Sequence, residues 1–320
     1  MRPMKWLAFA VVVLALGWSA FWFLQVRWQR AAIEAWFDAR RAEGWQASYE
    51  ALEMRGFPNR IDATFTGLVL GDPEGRVTWE APFAQVFRLA YRPGHVIVAW
   101  PETQSVETQA GRVAIESAGL RGSLELSGLT FDRVARLVLE AESLTLVPDF
   151  ADRLALAEVH AALAATTDDP VRYRTALSGV AAGDAEGDPE RASLDAVVTL
   201  TAPITTDGAR TDITAVDLNL AEYVPGPARL RLSGDFDVDG EGRLSGDLDL
   251  QAEEWRDLVA DAADRGRIDP GIAEGIEDAI GFVATLRGNP DTLDLGIRID
   301  EGSMFLGPVP LGPAPRLRLP

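Results

Sequence analysis

Residues 6–24, WLAFAVVVLALGWSAFWFL, run for nineteen positions without one charged side chain, and no other stretch limits the fold of this chain so strongly. As a helix rising about 1.5 Å per residue, the run is about as long as the hydrocarbon core of a bilayer is thick. Ten of its members are Leu, Val or Phe, each favourable by roughly 0.3–0.6 kcal/mol near the bilayer centre. It reads as a membrane anchor carried by Trp6, Leu7, Val12, Leu16, Trp18, Phe21, Trp22 and Leu24. Trp6 at one end and Trp18, Trp22 and Trp28 toward the other match interfacial aromatic belts, and Arg2, Lys5, Arg27 and Arg30 close the ends. The rival reading is a cleavable signal peptide, whose apolar middle would run about 7–15 residues to a small-x-small site. Here the run is longer, and the one candidate site, Gly17-Trp18-Ser19, is followed by bulky Phe21, Trp22 and Phe23. The segment is therefore expected to be retained. Basic residues flank both ends, so orientation rests on a short basic start before an acidic body, the form of a signal anchor. That places one pass in the inner membrane and the body in the periplasm.

Six of the 30 basic residues but only three of the 49 acidic ones fall within the first 44 positions, leaving 24 basic against 46 acidic residues in the body. Such a surface repels phosphate backbones, which excludes nucleic acid as a partner. The absence of cysteine excludes disulfides, thiolate metal sites and Cys nucleophiles.

Beyond the span, Trp28, Ala32, Ala35, Trp36 and Ala39 fall near helical spacing and Gly44 ends the helix. This predicts an amphipathic segment lying along headgroups or packing on the first strands. From Trp45 the apolar period becomes two. Ile61, Ala63, Phe65, Gly67 and Val69 alternate with polar neighbours, and Val77-Thr78-Trp79 predicts a further short strand. Residues 83–91 and 96–100 flank Arg92-Pro93-Gly94-His95, which predicts a type II turn. The triplet Leu-Ser-Gly recurs at Leu126, Leu177, Leu232 and Leu244, and the last two predict a hairpin with its turn at residues 239–242. Trp255, Leu258, Val259 and Ala262 share one helical face, and Asp269-Pro270 offers the start of a second helix. Leu293, Leu295, Ile297 and Ile299 return to strand alternation. The expected organisation is an anchor over 1–26, a juxtamembrane helix over 27–44, a first β-rich half over 45–182, a flexible loop over 183–192 and a second β-rich half over 193–320 with two helices within about 255–286. The fold class is mainly β (α+β): a transmembrane helix, then an extended or curved antiparallel sheet with two amphipathic helices near its carboxyl end.

Several of these stretches carry a family resemblance. Gly56-Phe57-Pro58, then Trp79, Pro82, Phe83 and Gln85, then Tyr91-Arg92-Pro93 with His95, Trp100-Pro101, and finally Gly302, Gly307 and Pro308, resemble the signature of a bacterial family of membrane-anchored proteins, domain-of-unknown-function family 2125. The resemblance spans nearly the whole chain and implies architecture and an envelope setting, with no catalytic residue. At the level of fold there is a weaker similarity to AsmA-like envelope proteins.

Motifs for chemistry fall away on inspection. Asp235-x-Asp237-x-Asp239-Gly240 resembles the start of a calcium loop, but the twelfth position, where a bidentate Glu belongs, is Gly246. Phe236, Val238, Leu244, Leu248 and Leu250 instead form one buried hairpin face, leaving the aspartates in water. With no lysine beyond Lys5 a P-loop is impossible, and no Gly-x-Ser-x-Gly elbow exists. His95 and His160 are too few for a histidine metal site and take turn and edge-strand roles. Trp79, Phe83, Phe87, Tyr91 and Trp100 are expected to pack in a core. No catalytic residue, cofactor or metal ligand is therefore assigned. The expected function is non-catalytic: an anchored envelope protein binding a lipid or other amphiphile on an apolar concave sheet face. The alternative is a scaffold that binds other envelope proteins through a sheet edge or the 255–286 helices.

Overall fold

The computed structural model describes residues 2–181, 189–207, 209–264, 269, 271 and 291–318. One helix, α1 (Arg2–Ala42), carries the apolar run and continues without a break. The strands that follow are β1 (Gln46–Ser48), β2 (Ala51–Arg55), β3 (Arg60–Gly71), β4 (Val77–Leu89), β5 (Arg92–Ala99), β6 (Thr103–Thr108), β7 (Gly111–Ala118), β8 (Arg121–Ser127) and β9 (Arg133–Pro148). Next come β10 (Leu154–Ala165), β11 (Arg172–Ala181), β12 (Glu190–Leu200), β13 (Ile213–Pro225), β14 (Arg229–Val238) and β15 (Leu244–Glu253). Helix α2 (Trp255–Asp264) precedes β16 (Thr292–Asp300), β17 (Ser303–Leu306) and β18 (Val309–Pro313). The protein is mostly antiparallel β-sheet, as the period of two dictates. The second helix expected after Asp269-Pro270 and most of the loop expected over 183–192 lie outside the described residues; β12 already begins at Glu190.

The chain forms two compact units, one of residues 1–126 and 139–154 and the other of 127–138 and 155–320. In the first, β3 is flanked by β1 and β2 on one edge and β4 on the other, and β4 pairs with β6 over residues 77–80 and with β5 over residues 85–89. Pro82 sits in the gap between those two partners, where the missing N–H costs no ladder bond. β6 pairs with β7, β7 with β9 and β5 with β8. The second half of α1 covers β2–β4. Trp22, Val26, Ile33 and Phe37, spaced by three to four or multiples of it, pack on Leu52, Ile61, Ala63, Phe65 and Ala90.

One sequence expectation is corrected here, and two are narrowed. The face of α1 that meets the sheet is not the one carrying Trp28 and Trp36, which are exposed. Arg92-Pro93-Gly94-His95 is not a type II turn: β4 and β5 are joined by the two residues Ala90-Tyr91, with Leu89 opposite Arg92. Gly94 lacks the positive φ such a turn demands, and Pro93 and Gly94 fall in a register break between Leu89 and Arg88 pairings, where an unpaired residue costs least. The aromatic concentration also divides. Trp79 packs in the core and donates Nε1–H to Gln104 Oε1 at 2.7 Å, whereas Phe83 and Tyr91 are exposed.

Candidate apolar ligand face

In the second unit β10 to β16 pair in chain order, each antiparallel to the next. Alternation along each strand sends every second side chain to one face. Ala161, Leu177, Leu194, Ala221, Leu232, Leu250 and Leu295 form one cross-strand row through all seven strands. Two residues on in each strand, Gly179, Ala192, Tyr223, Leu230, Ala252 and Leu293 form the next row. Register breaks in β13 between Leu218 and Ala221, and in β12 beside Ala196, keep the apolar positions on the same side. The opposite face carries Arg174, Asp195, Asp217, Asp235, Asp247 and Arg298. There Arg174 contacts Asp195 at 2.6 Å and Arg172 contacts Asp217 at 2.6 Å. The hydrogen bond from Arg174 holds the Asp195 carboxyl below the usual carboxylate range.

Among the described residues the apolar face is covered over β14–β16 and around buried Tyr173 and Ala196, and it is open around Leu177. Over β14–β16, Trp255 of α2 is fully buried with Leu258 and Val259 against Ala252, Leu293 and Leu295. Ala314, Leu317 and Met304 pack on Phe236, Val238, Leu244 and Ile299. Over β10–β13 the face opens into a depression of about 380 Å³, floored by Leu156, Val159, Ala161, Leu177, Leu194 and Tyr223. Leu177 remains 44% exposed there. A polar pair stands at its edge, where the Tyr223 hydroxyl donates to Glu190 Oε2 at 2.7 Å. A break in β10 pairing falls between Ala157 and His160, with Glu158 at φ +51°, and His160 then pairs with Ser178 on the face opposite Ala161 and Leu177. An apolar floor with a polar edge can receive an acyl chain and solvate the head attached to it.

The calcium-like aspartates have structural work. Asp235 and Asp237 lie on the polar face, opposite Asp247 and Ser245. Asp239 closes the β14–β15 turn: its carboxylate accepts the backbone N–H groups of Glu241 and Arg243 and the Arg243 guanidinium. Those donors, the Arg243 backbone first, pull its pKa down to about 2. Among the described residues no three His, Asp or Glu side chains converge as a metal site. His95, in β5 and not in a turn, has Nε2 at 2.9 Å from Ser123 Oγ. The first unit has a larger and more polar cavity, about 550 Å³, beside Pro82 where β4 changes partners; Glu50, Glu80 and Arg112 line it.

The other singled-out residues divide by position. Trp6, Leu7, Val12, Leu16, Phe21 and Leu24 are exposed along α1. Trp22 is only 5% exposed, donating Nε1–H to the Arg60 carbonyl at 2.7 Å, and Trp18 donates to the Pro58 carbonyl at 2.9 Å. Gly56, Phe57 and Pro58 form the β2–β3 turn that receives them, and Tyr91, Arg92, Pro93 and His95 follow at the adjacent hairpin. Phe83 and Gln85 lie on β4 and Trp100-Pro101 link β5 to β6. Gly302 precedes β17, and Gly307-Pro308 turn β17 into β18. Sequence reasoning missed Leu194 and Tyr223 as members of one face with Leu177. The signal was the register of neighbouring strands, which periodicity in one strand does not contain.

Among the described residues one helix, Met4–Ala42, is long and apolar enough to cross a membrane. No curated protein and no solved structure matches the chain, so no relative carries the AsmA-like similarity. A family model does match, over residues 22–315: the chain belongs to the family described as an uncharacterized protein conserved in bacteria (DUF2125).

Proposed function

We propose that this protein is a single-pass envelope protein, its body on the periplasmic side of the inner membrane, that binds a lipid or similar amphiphile on the open apolar face of β10–β13. The observation that carries this reading is the uninterrupted apolar row from Ala161 to Leu295, buried under α2 at one side and left open around Leu177 at the other. Each methylene withdrawn from water onto such a face gains about 0.8 kcal/mol. A chain of ordinary acyl length is therefore held by the floor alone, and the edge formed by Glu190 and Tyr223 receives the polar end. The scaffold alternative has less support, because the apolar stripe of α2 is already occupied by Ala252, Leu293 and Leu295.

The test uses the full chain in membranes containing a phospholipid with a photoreactive diazirine in its acyl chain. Adducts are expected on β11–β13 at Leu177, Leu194 or Tyr223. Leu177→Glu places a carboxylate in the acyl path and reduces these adducts about tenfold, since burying an unpaired charge costs more than the ~1.4 kcal/mol that a tenfold change represents. Adducts confined to α1 would overturn the reading.

A further inference from the structure

The anchor reading brings one end of the first unit's sheet to the level of the membrane. From Met4 to Trp18 every side chain of α1 is exposed, fifteen residues or about 22 Å of helix. A hydrocarbon core of about 30 Å needs roughly twenty residues. The β2–β3 turn nevertheless meets α1 at Trp18 and Trp22, before that length is complete. Phe57 packs edge-on to Trp22 at 5.3 Å and stacks on Phe23 at 6.1 Å, and it is still 53% exposed. The turn therefore lies at the boundary between hydrocarbon and headgroups, and so does the β4–β5 hairpin beside it, since Ala90 N–H donates to the Asn59 carbonyl at 2.9 Å. Exposed Tyr91 stands at that hairpin.

The same end is basic in a body with almost twice as many acidic as basic residues. Arg60, Leu89 and Arg92 share one cross-strand row, and Arg27 follows Phe23 by one helical turn. Arg60 is engaged by Asp62, whereas neither Arg27 nor Arg92 has an acidic partner among the described residues. Exposed aromatic rings at the hydrocarbon edge with unneutralised guanidinium groups just outside it match an anionic phospholipid surface in both layers. We propose that the turn at residues 56–59 and the hairpin at Ala90-Tyr91 form a membrane seat, with Phe57 and Tyr91 entering the interface and Arg27 and Arg92 taking anionic headgroups. This rests on the anchor reading above and is independent of the apolar face of β10–β13.

Because the chain has no cysteine, single labels are clean. Asn59→Cys and, as a control, Val77→Cys at the far end of β4, about 40 Å away, each carry an environment-sensitive fluorophore on the full chain in nanodiscs of phosphatidylcholine with or without phosphatidylglycerol. Label 59 is expected to emit to the blue of label 77, to shift further when phosphatidylglycerol is present, and to lose that further shift in R27E/R92E. Equal emission at 59 and 77 overturns the seat. A blue shift at 59 indifferent to both phosphatidylglycerol and R27E/R92E overturns the headgroup assignment. Flotation of the labelled chain with vesicles separates these failures from failure of the anchor, since a chain that does not float has lost both.

Discussion

Trp22 belongs by composition to the membrane run and by contact to the folded domain. Its ring is buried with Ile61 and Ala90, and its N–H satisfies the Arg60 carbonyl. Trp22→Ala should cost about 3–5 kcal/mol, the range for emptying a large aromatic site. Trp22→Phe should cost about 1 kcal/mol for the lost hydrogen bond; both are read from the thermal unfolding of the β signal in micelles. Asp239 makes a pH prediction at the same scale. Its folded pKa, about 2, lies below the ordinary carboxylate value. Its contribution is therefore complete above about pH 4 and lost as pH falls through 2. The difference in melting temperature between the native chain and D239N should be present at neutral pH and vanish toward pH 2. The misread turn at Arg92-Pro93-Gly94-His95 belongs to this scale too. Pro-Gly is a turn signal only when the glycine takes positive φ, and here a register break absorbed the proline instead.

Elements with strong, local periodicity were legible from the sequence. Leu293 to Ile299 alternates without an exception in β16, the β14–β15 hairpin turns where Asp239 and Gly240 stand, and Trp255 leads α2. The docked face of α1 was not legible, because tryptophan and alanine at 28, 32, 35, 36 and 39 make a competing stripe and only the sheet decides which one it buries. The apolar face of β10–β16 was half legible: each strand announced an apolar side, but the row through seven strands depends on register. Glycines sharpen the point. Gly246 has φ +154°, and a Cβ there would lie 2.0 Å from the Asp235 carbonyl oxygen, so Gly246→Ala should destabilise by about 2–4 kcal/mol. Gly75 also has positive φ, +64°, but open space around it, so Gly75→Ala should cost only about 1 kcal/mol. Urea midpoints of the two variants check the ordering.

For the whole molecule, the pairings that a sequence hides are the non-local ones. β4 takes β6 as well as β5, and β5 takes β8, so neither the division into two units nor the position of Pro82 follows from adjacent hairpins. Charge was legible at this scale: 46 acidic against 24 basic residues beyond position 44 give the body a strongly negative balance. The unbroken course of α1 has a mechanical consequence. The helix is about 60 Å long, and it is fastened to the first unit by Trp18, Trp22, Arg30 and Arg41 through hydrogen bonds to carbonyls of residues 58, 60, 52 and 47. It therefore contains no hinge between its apolar and its docked part. With α1 inserted as proposed, a span that tilts to fit a thinner bilayer swings the attached sheet through the same angle, and lipid thickness sets the attitude of the first unit as a lever sets its load.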